Sequence, residues 1–354
     1  MAMFGRSRQE LERRIGHISQ LGGVKAYVLT EGRAAGIRAV DVRTAAGLEF
    51  TVLADRCLDI SEARYRGLSL CWRSPTGDVG PAYYEPERLE WLRTFFGGLL
   101  TTCGLDNVGP PEVDGADALG LHGRISTTPA ERVSWREEWE GDRLALTVSG
   151  VVREARLFGA ELELHRTIRA YGDGAGFSLR DRVVNVGARP SPCMLLYHVN
   201  AGFPLVDEDA ELVTPGGEVE PRDEEAEEGA QDWARIHAPV RGYREKVYLH
   251  APRADRDGWV RAAVVNRRLR GGLAMVMRWR ASELPCLTQW KMLGEREYVL
   301  GVEPGNCFPL GRRHEREAGR LLELGIAEAV ETGFEVEVVE GAEAVERAVA
   351  EVRG

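Results

Sequence analysis

Most of this chain after residue 20 alternates apolar and polar side chains with a period of two. Such alternation is typical of β-strands with one buried face, and turns rich in glycine separate the segments that show it. No helical segments alternate with them, so the pattern excludes a parallel α/β sheet and favours a large antiparallel sandwich. The segments are 36–60, 144–158, 161–171, 176–187, 246–252, 259–266, 272–280, 286–293, 297–305 and 323–341.

Helices are predicted only near the two ends. Residues 7–20 place Leu11, Ile15 and Ile18 on one helical face, and residues 342–352 form a closing helix. No stretch has the composition of a linker. We therefore expect an N-terminal helical segment over residues 1–24 and a single β-sandwich domain over residues 25–354.

Two local interpretations follow from turns and charge. Segment 36–60 is expected to form two strands joined by a turn at residues 45–47, where small residues interrupt the alternation. The acidic run at residues 217–232 is interpreted as a long surface loop or lid.

Composition narrows the class of partner. The net charge of −10 argues against nucleic acid or an anionic membrane as the main partner. No apolar run approaches the length of about 18 residues that a membrane span needs, and the N-terminus lacks the apolar centre of a signal peptide. We expect a cytoplasmic protein, monomeric or homodimeric, whose six scattered cysteines are reduced thiols.

His198 is the first candidate for chemistry. Along residues 194–200, Met194, Leu196, His198 and Asn200 share one face of a strand that is apolar on both faces. A histidine at the end of a buried strand can handle protons near neutral pH. The alternative is a core histidine whose ring is hydrogen-bonded to a backbone carbonyl.

Glu303 is the second candidate. It ends the strand 297–303, and Pro304 holds it in an extended conformation before the chain leaves the sheet. A partly buried carboxylate at such a rim can act as a general base because burial brings its pKa closer to the working pH. The alternative is a glutamate that forms a salt bridge at the rim.

Three further polar residues are candidates for substrate binding. His122 lies beside glycines that let backbone approach a ligand closely, although it could equally be a turn residue without a function. Asn107 lies in a loop rich in glycine and proline that would suit a cleft. Arg56 could donate a hydrogen bond to a substrate oxygen, but a pairing with Asp59 is slightly favoured.

A second group of candidates lies on the strands before Glu303. Trp290 could form an apolar platform for a sugar ring or belong to the core, and the sequence favours neither alternative over the other. Lys291 follows it, and Glu245 and His250 flank another strand as weaker candidates. Four arginines near the predicted site leave an anionic substrate open, namely Arg56, Arg124, Arg312 and Arg313.

No cofactor is expected. The chain lacks a phosphate-binding loop, a nucleophile elbow, a zinc-protease motif and a dinucleotide fingerprint. His122, His198, His250 and Glu303 include suitable metal ligands, but no two of them have tight ligand spacing. A metal site is therefore the less favoured alternative.

Four segments in order, residues 101–109, 120–131, 195–205 and 302–315, resemble the aldose 1-epimerase-related (galactose mutarotase-like) family, in its uncharacterised subgroup. The resemblance spans about residues 25–340. It implies the large antiparallel supersandwich of that family, with a sugar cleft across one sheet.

The resemblance also implies roles for individual residues. His198 falls at the family's acid histidine, Glu303 at its base glutamate and His122 at its second histidine. Authentic galactose mutarotases have an arginine where this loop offers Asn107, and their aspartate has only an ambiguous counterpart around Glu245. The specificity for galactose or glucose is therefore not carried over.

The leading hypothesis is an enzyme that interconverts anomers of a free sugar or sugar derivative. Glu303 would take the proton of the anomeric hydroxyl, while protonated His198 would deliver one to the ring oxygen. The alternatives are a non-catalytic carbohydrate-binding or sensor protein, and a metal-dependent sugar isomerase or lyase. In each case the expected partner is a small-molecule carbohydrate.

Overall fold

The computed structural model describes residues 3–354, and antiparallel strands dominate them. The strands, in chain order, are Gly22–Val28 (β1), Arg38–Thr44 (β2), Leu48–Leu53 (β3), Asp59–Tyr65 (β4), Leu68–Ser69 (β5), Thr101–Leu105 (β6), Glu112–Asp114 (β7), Asp117–Leu119 (β8), Ala130–Glu140 (β9), Arg143–Ala155 (β10), Glu161–Tyr171 (β11), Gly176–Asn185 (β12), Ser191–Pro192 (β13), Met194–Gly202 (β14), Glu211–Val213 (β15), Gly217–Pro221 (β16), Lys246–Pro252 (β17), Trp259–Asn266 (β18), Leu273–Arg280 (β19), Cys286–Gly294 (β20), Glu297–Gly305 (β21), Glu323–Leu324 (β22) and Ala329–Glu340 (β23).

Helices are few and short. The α-helices are Arg8–Glu12 (α1), Glu224–Glu227 (α2), Arg312–Glu317 (α3) and Ala342–Arg353 (α4). The 3₁₀ turns are Met3–Gly5, Ile18–Gln20, Gly32–Ala34, Pro81–Tyr83, Glu90–Arg93, Ile125–Thr127, Ala230–Asp232 and Leu269–Gly271. Within residues 3–354, no helix has both the length and the apolar composition needed to cross a bilayer.

Three sheets form the body of the sandwich. The largest has eight strands in the order β15-β18-β19-β23-β12-β11-β10-β9, and the second has six in the order β16-β17-β20-β21-β14-β6. The third sheet has five strands, β1 to β5, and their order in the sheet is the same as their order in the chain. The predicted all-β antiparallel supersandwich is confirmed.

Alternating burial explains why the sheets stack. Along β11 the apolar Leu162, Leu164 and Ile168 are buried, while Glu163, His165 and Thr167, on the opposite face, are more exposed. Leu195, Tyr197 and Val199 of β14 belong to the same hydrophobic core, and they therefore pack from the six-stranded sheet against the large one. β14 is buried along its whole length, because its other face is covered too.

A buried ion network ties three of the sheets together. Arg166 on β11 donates to Asp181 on β12 at 2.6 and 2.9 Å and to Asp59 on β4 at 2.7 Å. The hydroxyl of Tyr197 on β14 donates to Asp181 at 2.9 Å. All four side chains are buried, so each charge depends on the others for its partner.

The predicted helices are present, but the first is shorter than expected. Instead of one helix over 7–20 there is α1, capped by Ser7 and Glu10, and a separate 3₁₀ turn that starts after His17. The break falls around Gly16, which has a low helix propensity. α4 forms as predicted and packs Val345, Val349 and Val352 on the outer face of the large sheet.

Two local predictions need correction. Segment 36–60 turns at residues 45–47 as expected, but it contains β2, β3 and the start of β4, because Cys57 and Leu58 have positive φ and interrupt the strand. The acidic run 217–232 is not a long loop: β16 pairs with β17 as the edge strand, and Asp223 caps α2. Most of its carboxylates are exposed, whereas Glu225 is partly buried and pairs with Lys246.

The predicted division into a segment 1–24 and a domain 25–354 stays a prediction. β1 begins at Gly22, close to the predicted boundary. Residues 1–2 of the predicted N-terminal segment lie outside the described residues.

Candidate active site

His198 and Glu303 face each other across two neighbouring strands. β14 and β21 are antiparallel, and the pairing of Val199 with Val302 and of Leu196 with Gly305 sets His198 opposite Glu303. Histidine Nε2 lies 3.3 Å from glutamate Oε1, although the two groups are not aligned as a hydrogen bond. The face predicted for Met194, Leu196 and His198 is therefore the face that carries the site.

Burial sets the charge of this pair. Both side chains are nearly inaccessible, at 7% for His198 and 2% for Glu303. Desolvation raises the pKa of Glu303 well above its ordinary value, and it lowers the pKa of His198 to about 3. Burial therefore favours the neutral form of both side chains, a protonated carboxyl group beside an uncharged imidazole.

Neither member of the pair has its hydrogen bonds satisfied within the protein. His198 Nδ1 and Glu303 Oε1 are buried and have no hydrogen-bond partner. Unpaired buried polar atoms cost free energy, about 1–3 kcal/mol each, and a catalytic role or a bound water molecule is a common reason for them. These two atoms are available to a bound molecule.

Glycine 301 makes room for the glutamate. A Cβ atom at Gly301 would lie 2.3 Å from Glu303 Oε1 and 2.9 Å from Trp290 Cβ. Gly301 and Glu303 are on the same face of β21, so the carboxyl group folds back over the glycine. The segment 297–305 thus needs a glycine two residues before its glutamate.

Thr288 extends the same row by one strand. β20 pairs with β21 so that Thr288 lies opposite Glu303, and Thr288 is 1% exposed. Its Oγ1 also lacks a hydrogen-bond partner. Three neighbouring strands therefore present Thr288, Glu303 and His198 side by side, each with an unpaired polar atom.

His122 reaches the site from a loop. It has a φ of 55°, in the left-handed region, and its Nδ1 accepts a hydrogen bond of 3.4 Å from the backbone of Gly109. Burial and, to a lesser extent, the positive charge of Arg222 together lower its pKa to about 4. A neutral ring whose Nδ1 accepts carries its hydrogen on Nε2, so His122 can donate one hydrogen bond.

Aromatic side chains surround the pair. Each of six rings contacts the next at centroid distances of 4.6–6.2 Å, so that they form a closed circuit. We call this set the aromatic cluster. Its rings, in order, are those of His122, Trp91, Phe95, Trp72, Trp290 and His198.

Arg222 and Glu245 form the polar edge of the site. Arg222 Nη2 lies 3.1 Å from Glu245 Oε1 and also pairs with Asp223 at 2.7 Å. The indole N–H of Trp290 donates to Glu245 Oε2 at 2.8 Å. Glu245 therefore orients both the arginine and the tryptophan.

All these groups open into one cleft of about 820 Å³. His122, His198, Glu245, Trp290 and Glu303, all predicted from the sequence, line it together. The remaining lining is mostly apolar.

Two predicted binding residues support the cleft from behind instead of lining it. Arg56 is buried and donates to the backbone carbonyls of Ser126, Val79 and Thr94 at 2.7–2.9 Å, so the pairing with Asp59 that the sequence slightly favoured is wrong. Asn107 donates to the carbonyls of Pro110 and Gly120. Both side chains donate their hydrogen bonds to backbone carbonyls and are therefore not free to bind a substrate.

Lys291 and His250 lie on the other face of the sheet. Lys291 Nζ donates to the carbonyl of Asp232 at 2.7 Å, and desolvation lowers its pKa to about 8. His250 Nε2 is 3.1 Å from Gln289 Oε1. Both side chains point away from Trp290 because alternate residues of a strand face opposite sides.

The predicted metal ligands are not brought together, since His250 lies behind the sheet. In residues 3–354, no group of three or more His, Cys, Asp or Glu side chains is arranged to hold a metal ion. Of the other arginines that left an anionic substrate open, Arg124 lies 3.6 Å from Asp106, Arg312 pairs with Asp114 and Asp117, and Arg313 does not line the cleft.

Sequence reasoning missed several residues of the cleft. Arg222 was hidden in the acidic run, while Trp72, Trp91 and Phe95 come from irregular segments without a strand pattern. Thr288 could have been predicted, since it lies two residues before Trp290 on β20 and therefore shares its face.

Comparison with known proteins places the chain in a family. The family described as a domain of unknown function (DUF4432) matches residues 34–338. No match was found among curated protein sequences.

Solved structures share the fold at low sequence identity. A protein from Klebsiella pneumoniae provisionally named an aldose 1-epimerase has a TM-score of 0.87 at 24% identity, with 97% of this chain and 94% of that chain covered. Galactose 1-epimerase from Lactobacillus acidophilus has a TM-score of 0.60 at 13% identity, covering 91% and 100%. A galactose mutarotase-like protein from Clostridium acetobutylicum reaches 0.58 at 13% identity, covering 90% and 98%. The chain thus has the galactose mutarotase-like fold and belongs to the DUF4432 family.

Proposed function

We propose that this protein interconverts the anomers of a reducing sugar by acid–base catalysed ring opening at His198 and Glu303. The observation that carries the proposal is the buried pair, 3.3 Å apart, with an unpaired polar atom on each partner inside a cleft walled by aromatic rings. Opening a sugar ring needs one proton donor and one acceptor next to the same carbon, and this pair offers both.

The direction of proton transfer follows from burial. Burial favours the protonated form of Glu303, whose pKa it raises, and the neutral form of His198, whose pKa it lowers. We propose that His198 takes the proton of the anomeric hydroxyl while Glu303 gives its proton to the ring oxygen. This reverses the roles that the family resemblance implies.

The step balances within the pair. As the bond between the anomeric carbon and the ring oxygen breaks, the anomeric oxygen becomes a carbonyl and the ring oxygen becomes a hydroxyl. His198 is then positively charged beside an anionic Glu303, so each charge stabilises the other. Rotation about the adjoining carbon–carbon bond and return of both protons closes the ring as the other anomer.

Neighbouring groups would hold the sugar in place. The face of Trp290 suits the apolar C–H face of a sugar ring, and its indole orientation is fixed by Glu245. Thr288 Oγ1 and His122 Nε2 would supply hydrogen bonds to sugar oxygens. Acid–base assistance contributes roughly 10²–10⁴-fold per group, which matters for a reaction that already proceeds slowly in water.

The test is anomeric exchange measured by saturation-transfer NMR on a panel of reducing sugars with chelator-treated protein. We expect enhanced exchange for at least one sugar and its loss in Glu303→Gln, which preserves size but neither gives nor takes the proton. Glu295→Gln, in the exposed turn between β20 and β21, is the matched control and should exchange like the wild type.

Two outcomes would contradict the proposal. Sugar binding without exchange in the wild type would favour the non-catalytic binding protein. Exchange that returns only when a metal ion is added back would favour the metal-dependent isomerase or lyase.

A further inference from the structure

The cleft is far larger than a single sugar. A hexose has twelve heavy atoms, and even at the roughly 30 Å³ that a water molecule occupies in the liquid these would take less than about 360 Å³. The cleft measures about 820 Å³. More than half of it remains after a hexose is seated on His198 and Glu303.

The lining of this extra space is apolar. Leu89 and Leu92 flank Trp91 in the segment around the 3₁₀ turn Glu90–Arg93, and both line the cleft while 54% and 49% exposed. Other apolar lining residues come from different segments of the chain, namely Pro75, Pro110, Leu121, Met292, Pro309 and Leu310. Together with the leucines these residues form an apolar wall along one cleft, and such an extended apolar surface is typical of a ligand-binding groove.

Within residues 3–354, the cleft has few charged side chains, and its one cation is already paired. Among the described residues that line it, Arg222 is the one cation, and it is held by Asp223 and Glu245. Glu297 adds a carboxylate at the exposed start of β21. A carboxylate or phosphate on the substrate would meet no free positive charge there, and a second sugar ring would find few donors along the leucine and proline walls.

We infer that the substrate is an uncharged reducing sugar that carries an apolar substituent on an oxygen other than the anomeric one. The inference rests on the proposed function, since ring opening requires a free anomeric hydroxyl at His198 and Glu303. The substituent contacts Leu89 and Leu92, and the sugar ring lies against Trp290.

The probes are 6-O-benzyl galactose and 6-O-benzyl glucose, each compared with its parent sugar. Burying a group of the size of a phenylalanine side chain is worth roughly 10- to 150-fold in affinity. We expect each active benzyl ether to bind at least tenfold more tightly than its parent by calorimetry with Glu303→Gln protein. In wild-type protein, kcat/KM for anomeric exchange should rise by a similar factor.

A matched pair of double variants locates the subsite. Leu89→Ser with Leu92→Ser should lower the preference for the benzyl ether over the parent at least fivefold. Leu157→Ser with Phe158→Ser, exposed residues of the turn between β10 and β11, should leave that preference unchanged. An equal loss in both double variants would overturn the assignment of the leucines.

The two proposals fail in different ways. Exchange of parent sugars without a preference for the benzyl ethers would overturn the apolar subsite and leave the proposed function standing. Tighter binding of the ethers without any exchange, by contrast, would support the subsite and overturn the mutarotase function.

Discussion

Among single residues, the pair of His198 and Glu303 is decisive, because the proposed reaction depends on which of the two holds a proton. Desolvation dominates for both groups, and for His198 the neighbouring His122 acts in the same direction. The sequence predicted both residues, because an apolar strand that ends in a polar residue is a local pattern. It could not predict their protonation, which depends on how deeply the assembled sheets and loops bury them.

The first prediction concerns the protonation of His198. Because its pKa is lowered to about 3, its ring should stay neutral when the pH falls from 8 to 5. ¹⁵N NMR of the ring nitrogens, assigned with His198→Gln, reads this directly. A ring that titrates near the ordinary value of about 6.5 would contradict the proposed direction of proton transfer.

The second prediction is the pH profile of kcat/KM. Glu303 must hold its proton, so activity should fall as the pH rises through its raised pKa, well above 4.5. On the acid side, activity should persist to about pH 4, where His122 and then His198 gain protons. The profile is measured by anomeric exchange across pH 4–10, with circular dichroism to confirm the folded state at each point. A profile confined to the interval between 4.5 and 6.5 would favour the opposite roles.

Thr288 carries the third prediction. Thr288→Val removes one unpaired hydroxyl at nearly constant volume, so we expect exchange to slow about tenfold, the loss of one hydrogen bond to substrate. Stability should stay equal or rise, because no protein partner loses its hydrogen bond. Thr288→Ser should restore most of the rate. A large drop in the unfolding temperature of the valine variant would instead indicate a structural role.

At the scale of elements, β21 must place a carboxyl group over its own backbone. The fourth prediction is that Gly301→Ala displaces Glu303, since the added Cβ would lie 2.3 Å from Oε1. Gly301 does not have positive φ, so alanine is compatible with its backbone angles, but the added Cβ would also lie 2.9 Å from Trp290 Cβ, and circular dichroism must show that the variant folds. We expect exchange to fall at least a hundredfold, as in Glu303→Gln. Gly16→Ala is the control, because the nearest atom to its added Cβ is 3.8 Å away.

The elements also explain where sequence reasoning failed. The face of β14 was predicted correctly because period-two burial is local to one strand. The prediction of a long loop over the acidic run 217–232 was wrong. An acidic composition indicates contact with solvent, but β16 needs only backbone pairing with β17 to form an edge strand. Trp72 and Trp91 join the site through pairings and loops distant in sequence, which no local pattern records.

At the scale of the whole molecule, the buried network of Arg166 links the sheets behind the cleft. The fifth prediction is that Arg166→Met lowers the free energy of unfolding at pH 7 by about 3–5 kcal/mol, because Asp59 and Asp181 lose the cation between them. Urea unfolding followed by circular dichroism measures it. Arg169→Met removes a more exposed pairing with Glu140 and should cost no more than about 1 kcal/mol. Equal losses in the two variants would show that the network adds no stability beyond a surface pair.

The aromatic cluster has a consequence for how binding can be observed. Trp72, Trp91 and Trp290 are three of the eight tryptophans in the chain, and all three line the cleft. A molecule that enters displaces solvent from the indole rings of Trp72 and Trp290, which are only partly buried. The intrinsic fluorescence of the unlabelled protein should therefore change with occupancy, so a library of sugars could be screened by emission alone before any turnover is measured.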